Sequence, residues 1–271
     1  PAATAQLLIW IIEYVTASVF DSLNNAPLPT VEQLLVWIPK AKQGPNPDNW
    51  RPLAIPPTII RLLGAVTFGT AAAHAHRFMH PAQALLADFK EAQGNFVLSQ
   101  QTLIEAYRNK DTRLHQVLLT DISKAFERIH PHWIVKVLFS KGLPLWFIAI
   151  SVLFLQARTS SPKIKGRICS TLHISIGVDM GNALSPLLFC IAIDPIIVYI
   201  NSIENVIRLT AYMDDQDVSV RDFKAMTKVQ TFLQTTQDLG IVIIEHDCLV
   251  FRPGNDPNLL PPCGKGEASV Q

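Results

Sequence analysis

The run Val206–Val220, VIRLTAYMDDQDVSV, has short alternating segments on either side of the tetrapeptide Tyr212-Met213-Asp214-Asp215. Period-two alternation flanking a short polar turn is a hairpin signal, and Asp suits such turns. The hairpin would carry two adjacent carboxylates on a rigid tip. A third acid, Asp121, closes the apolar run Val117-Leu118-Leu119-Thr120 far upstream, at the end of what reads as a buried strand. A fold that serves all three must bring a strand end to a hairpin tip.

Composition bounds the rest. The chain has 271 residues, 49% of them hydrophobic, enough for a substantial core in one large domain or two subdomains. A formal net charge of +1 gives no global basic signature. Nucleic-acid contacts would therefore rest on local patches: Lys40, Lys42 and Arg51, or the cluster Arg158, Lys163, Lys165 and Arg167. Solvated loop charge is the alternative for each. Cys169, Cys190, Cys248 and Cys263 form no CxxC pair, which disfavours a zinc site or disulfide framework and fits a reducing, intracellular compartment. His76 and His80, one helical turn apart and near His74, lack an acid or cysteine to complete a ligand set and read as surface residues. The apolar runs at 5–20, 143–157 and 184–200 fall short of the roughly 18–20 uninterrupted residues of a spanning helix, so no membrane segment is expected. The chain opens on Pro rather than Met and shows no secretory signal, so it reads as a piece of a longer reading frame.

Along the chain, residues 4–24 and 30–39 read as helical or partly so, and 43–49 as a loop. A long helix runs to about residue 80, and another covers 98–108. Strand 115–120 delivers Asp121; helices 123–129 and 132–140 follow, with Pro131 suited to a first helical position. A buried helix at 143–156 and a hairpin within 164–176 come next. Ser185-Pro186 supplies an N-cap and first residue for a helix to Ile200, interrupted at Pro195. After the acidic hairpin come a helix over 222–238 and a strand over 241–245. The tail from Arg252, rich in Pro and Gly, reads as disordered.

Five segments in this order resemble the reverse transcriptases of non-LTR (LINE-like) retrotransposons and group II introns. Trp37–Lys40 with Asn49–Leu53 is similar to their first fingers motif, and Gln93–Phe96 to a QxGF-like element. Leu119–Phe126 (LTDISKAF) resembles motif A, Gly177–Phe189 (GVDMGNALSPLLF) motif B, and Tyr212–Asp215 motif C. The resemblance covers roughly residues 36–251. It implies an α+β right-hand polymerase fold with an antiparallel palm sheet, fingers about 36–116 and palm about 117–251. Residues 1–35 would be a helical extension, 252–271 a tail, and the thumb missing or outside the chain. It implies an RNA-directed DNA polymerase acting on an RNA template, a DNA primer and dNTPs, within a longer polyprotein. Asp121, Asp214 and Asp215 would be catalytic and bind metal, Mg²⁺ or alternatively Mn²⁺. The nucleotide would meet Lys40 and Arg51 at its phosphates, the amides of Lys124 and Ala125, the sugar gate Phe126, and Met180 and Gly181 of motif B. The nucleus is one compartment such an element uses; the sequence does not choose it.

The departures from the family pattern lie in motifs B and D. Asp179-Met180 stands where the family has Arg-Gln, and the reversed charge is expected near the template strand, where it would weaken phosphate contacts. In Gly240–Cys248, Asp247 replaces a Lys implied to protonate pyrophosphate, and His246 is its neighbour. Glu127 replaces an Asp. A second reading follows: a catalytically silent palm that only binds nucleic acid or protein.

Overall fold

The computed structural model describes residues 2–22, 31–39, 50–84, 101, 116–156, 158–164, 166–239, 241 and 243–250. The chain divides into two compact units, residues 1–74 with 126–192 and residues 75–125 with 193–271.

The first unit is built on a sheet of order β2-β1-β4-β5, with β6 also paired to β4. Its strands are β1 (Val31–Pro39), β2 (Trp50–Ile55), β4 (Arg158–Ile164), β5 (Arg167–Ile168) and β6 (Leu172–Ile174). Strand β1 runs antiparallel to β2 and parallel to β4. The helical reading of 30–39 was wrong. Val31, Gln33 and Leu35 are buried at every second position, the period of a strand. A short apolar run such as Leu34–Ile38 does not separate strand from helix by periodicity. The helices are α1 (Ala2–Ser22), α2 (Thr58–Ala72), α3 (Ala125–Arg128, at the unit boundary), α4 (Pro131–Ser140) and α5 (Leu145–Leu155). Pro131 starts α4, where its missing N–H costs nothing. Helix α5, apolar on every side, is buried along eight of its residues and packs against α1.

The second unit holds a four-stranded sheet, β7-β8-β3-β9, with every neighbouring pair antiparallel. Its strands are β3 (Gln116–Ile122), β7 (Val206–Tyr212), β8 (Asp215–Val220) and β9 (Ile243–Val250). Val117, Leu118, Ile122, Val218 and Val220 lie in its core. Helix α7 (Phe223–Thr235) buries Ala225, Met226, Val229 and Leu233 at helical spacing. It is capped by Asp222, which accepts the Ala225 N–H at 2.7 Å and the Asn205 side-chain amide at 2.6 Å.

Helix α6 (Ser185–Ser202) runs through the boundary between the units. Among the described helices it alone is long and apolar enough to cross a membrane by composition, a test the sequence reading expected it to fail. It is 67% buried within the protein. Its one acid, Asp194, is 1% exposed and accepts the His80 N–H and the Gln83 side-chain amide, both at 2.7 Å. A buried carboxylate met by donors is what a core helix carries. The His76–His80 helix face does not form either: Ala75–Arg77 is a 3-10 turn, and His80 Nδ1 accepts the Ala82 N–H.

The tail beyond residue 250, the QxGF-like segment 93–96 and the helix read at 98–108 (Gln101 apart) fall outside the described residues.

Candidate active site

The acidic hairpin closes as tightly as its sequence promises. Tyr212 pairs with Asp215, leaving Met213 and Asp214 as a two-residue loop. Met213 sits at φ 56°, the positive value that a primed hairpin turn places at its first central position. This turn matches the right-handed twist of the strands that flank it.

Strand β3 brings the third acid to the same place. Gln116 through Thr120 pair with Val220 through Gln216. One further step of that register sets Asp121 opposite Asp215. The next step is realised as a hydrogen bond, from the Ile122 N–H to the Asp214 carbonyl at 3.2 Å. Asp121 and Asp214 are half-buried, and Asp215 is exposed. Main-chain bonds therefore hold three carboxylate-bearing positions at one end of a sheet.

Among the described residues, no three acidic, histidine or cysteine side chains form a ready-made cage for an ion. The donor set nonetheless suits a hard divalent cation. Mg²⁺ takes one or two carboxylates and completes its shell with water and substrate phosphates.

After β3 the backbone reverses through Ser123 and Lys124, the latter exposed and left-handed at φ 49°. Ala125 is buried at the start of α3. Phe126 is half-buried, with its ring stacked on Phe189 at 5.3 Å between centroids. It is thus a packed residue that is not wholly enclosed.

The motif B loop is fastened to the first unit's sheet. The Ala54 N–H of β2 donates to the Met180 carbonyl at 2.8 Å. Gly181 adopts φ +104°, and a Cβ there would stand 2.5 Å from the Ala54 carbonyl oxygen. Only glycine allows so close a passage over β2. Arg51 lies exposed on the same strand, opposite Ile38. Lys40 lies outside the described residues.

Two sequence expectations are corrected here. Asp179 does not present a free negative charge to a template: its side chain is 10% exposed and ion-paired with Arg158 at 3.3 Å. Gln33 Nε2 also donates to it, at 3.1 Å. Arg158 is 2% exposed, so it is no part of a surface basic cluster. Its guanidinium donates to the carbonyls of Phe154 (2.8 Å), Ile176 (3.0 Å) and Gly177 (3.1 Å). Toward Asp179 its Nε is within ion-pair distance without the alignment of a hydrogen bond. Burial pushes the Asp179 carboxyl above its ordinary range, although Arg158 and Gln33 pull it down. Burial likewise lowers Arg158, with Asp179 opposing. Sequence reasoning missed Arg158 because nothing near it in the chain predicts an inward-facing cation; its acid lies in another segment.

Strand β9 pairs with β3 in two registers, shifting between Leu119 and Thr120. Asp247 falls opposite Leu119, Glu245 opposite Thr120, and His246 is passed over between them.

Comparison with known proteins agrees with this architecture. The chain is similar over 183 residues, at 26% identity, to the Retrovirus-related Pol polyprotein from type-1 retrotransposable element R2 of Popillia japonica. That stretch is 66% of this chain and only 25% of the relative, so the chain spans about a quarter of the protein it matches. Among solved structures, telomerase from Candida albicans in complex with a fragment of telomeric RNA superposes with a TM-score of 0.56 at 10% identity, covering 84% of this chain and 43% of that one. Apo telomerase from Candida tropicalis gives 0.53 at 12%, covering 80% and 44%. At such identities these two show the fold alone, a right-hand polymerase. The reverse transcriptase (RNA-dependent DNA polymerase) family matches residues 38–252, and with a strand-end acid joined to an acidic hairpin tip inside that match, the chain belongs to this family.

Proposed function

We propose that this chain is the polymerase portion of a retrotransposon-like element, extending a DNA primer on an RNA template with dNTPs. The observation that carries the proposal is the Ile122–Asp214 main-chain bond, which joins the end of β3 to the tip of the acidic hairpin. Asp121 and Asp214 would hold the divalent cations, with Asp215 assisting. When bound, such cations activate a primer 3′-hydroxyl and stabilise the leaving pyrophosphate; Mg²⁺ is the ion proposed and Mn²⁺ the substitute.

The remaining roles follow from motif correspondence. The amides of Lys124 and Ala125 would bind the triphosphate, and Arg51 and Lys40 its outer phosphates, where a forked guanidinium is well matched. Phe126 would crowd a ribose 2′-hydroxyl and so favour deoxynucleotides. Met180 and Gly181 would line the base-pair side. Fingers at about 36–116 and palm at about 117–251 remain the proposed division, within a longer polyprotein.

Primer extension on RNA with dNTPs, in Mg²⁺ and in Mn²⁺, tests this reading. Extension by the native chain and its loss in Asp214→Asn would support it. No extension by a folded chain, beside a working control enzyme, would overturn it. One residue favours the silent-palm reading, Asp247 in place of the family's Lys, since a general acid is typically worth about 10²–10⁴-fold. If Asp247→Lys extends primers and the native chain does not, the silent reading wins.

A further inference from the structure

We propose that Arg158 and Asp179 are a buried positioning pair that fixes the height and tilt of the motif B turn, residues 180–182, on strand β2. This deepens the polymerase reading and rests on it: the turn matters because Met180 and Gly181 are proposed to line the nucleotide site.

The argument begins with what Arg158 holds. One guanidinium gathers the Phe154 carbonyl at the end of α5, the Ile176 and Gly177 carbonyls leading into motif B, and the Asp179 carboxylate. The residues it grips hold others in turn. The Gly177 N–H donates to the Ile129 carbonyl at 3.0 Å, and the Val178 N–H to the Phe126 carbonyl at 2.7 Å. Gly177, at φ +79°, passes so close that a Cβ would lie 2.5 Å from the Phe126 carbonyl oxygen. The segment that follows motif A and the loop that opens motif B are thereby locked together.

Asp179 completes the set from the other side. Gln33 Nε2 donates both to Asp179 Oδ1, at 3.1 Å, and to Ser160 Oγ, at 2.9 Å. Strands β1 and β4 therefore grip the residue immediately before the turn. On the far side of that residue, the Met180 carbonyl is held by Ala54. The entry of the turn is thus held from two sides, by Arg158 and Gln33 at Asp179 and by Ala54 at Met180.

Stability alone does not explain the arrangement. Two charges taken out of water seldom recover their solvation from each other, and both groups are pushed toward neutrality by burial. What the pair supplies is geometry. It also accounts for the absence of the family's Arg from this position: a second cation beside Arg158 would repel it.

The test uses the full chain with Asp179→Asn, Asp179→Glu and Asp179→Arg. Two readouts are taken: KM for dNTP against kcat in primer extension, and amide hydrogen exchange at Ala54, Gly177 and Val178. We expect Asp179→Asn to raise KM for dNTP several-fold with a smaller change in kcat, and to speed exchange at those three amides. Asp179→Glu should recover part of both. Asp179→Arg, although it restores the family residue, should be worse than Asp179→Asn. The proposal is overturned if Asp179→Arg lowers KM for dNTP, or if exchange at the three amides is unchanged in every variant. Should the native chain extend no primer, the polymerase reading fails by itself, and the exchange result still decides whether the pair holds the turn.

Discussion

Asp121 and Asp179 belong to different units and are held in opposite ways. Asp121 ends a strand whose position is set by main-chain hydrogen bonds to β8, and its carboxylate stays half-buried. Asp179 opens a turn that main-chain bonds share with buried side chains, an arginine and an amide, which engage its carboxylate directly. The first arrangement brings an acid to the sheet end that carries Asp214, where the polymerase reading proposes that it acts. The second consumes the acid in placing something else. In that reading, place in the fold and not residue type separates the proposed metal-binding carboxylate from the positioning one.

The largest effect should fall on activity alone. Asp214→Asn is expected to reduce primer extension by on the order of 10³-fold or more, as when a group acting in the transition state is lost. Denaturation should shift by no more than about 0.5 kcal/mol, the usual range for a position outside the core. A large loss of stability would mean that Asp214, like Asp179, is structural, and the contrast would collapse.

Next in size is the mirror case. Arg158→Met should cost about 3–5 kcal/mol, the scale of breaking a buried pair, because three carbonyls lose their donor and a carboxylate loses its counter-charge. Asp179→Asn should cost less, since Arg158 keeps those carbonyls. Urea denaturation of both variants orders them, and equal costs would show that the carbonyls contribute nothing.

Gly177→Ala sharpens the comparison from the backbone side. A left-handed non-glycine costs about 1–3 kcal/mol, and here the added Cβ must also displace the Phe126 carbonyl. A neutral result in the same denaturation assay would show that the motif B loop is free to shift.

The smallest effect concerns pH. Burial raises the Asp179 carboxyl above its unfolded value, so the folded chain takes up that proton first as pH falls. The stabilisation from this uptake is fully present below the unfolded pKa and lost as pH rises through the folded one. The native chain should therefore gain stability relative to Asp179→Asn between neutral pH and about pH 4. Paired denaturation curves would check it, and a difference that shrinks on acidification would contradict the shift.

The same contrast explains what the sequence disclosed. The hairpin, strand β3 and helix α7 were legible because alternation, apolar runs and helical periodicity are local signals. The acids could be grouped because their motifs occur in a known order. Strand β1 was misread, since five apolar residues in a row fit either period and only its neighbours β2 and β4 decide the matter. Asp179 was placed facing a template for a related reason. Its partner is an arginine in a strand of small polar residues, RTSSP, with no pattern to mark it as buried. Pairings between distant side chains leave no period to read.

The bond from Ile122 to Asp214 has an evolutionary consequence. It uses only backbone atoms, so any sequence that keeps the strand and the hairpin keeps the spacing of the acids, whether or not selection still acts on catalysis. A copy drifting toward silence would preserve that spacing for a long time. The grip on motif B depends on Arg158, Asp179 and Gln33 together, and a single substitution loosens it. Among copies that carry this trio, its loss is expected before the loss of the acids' spacing.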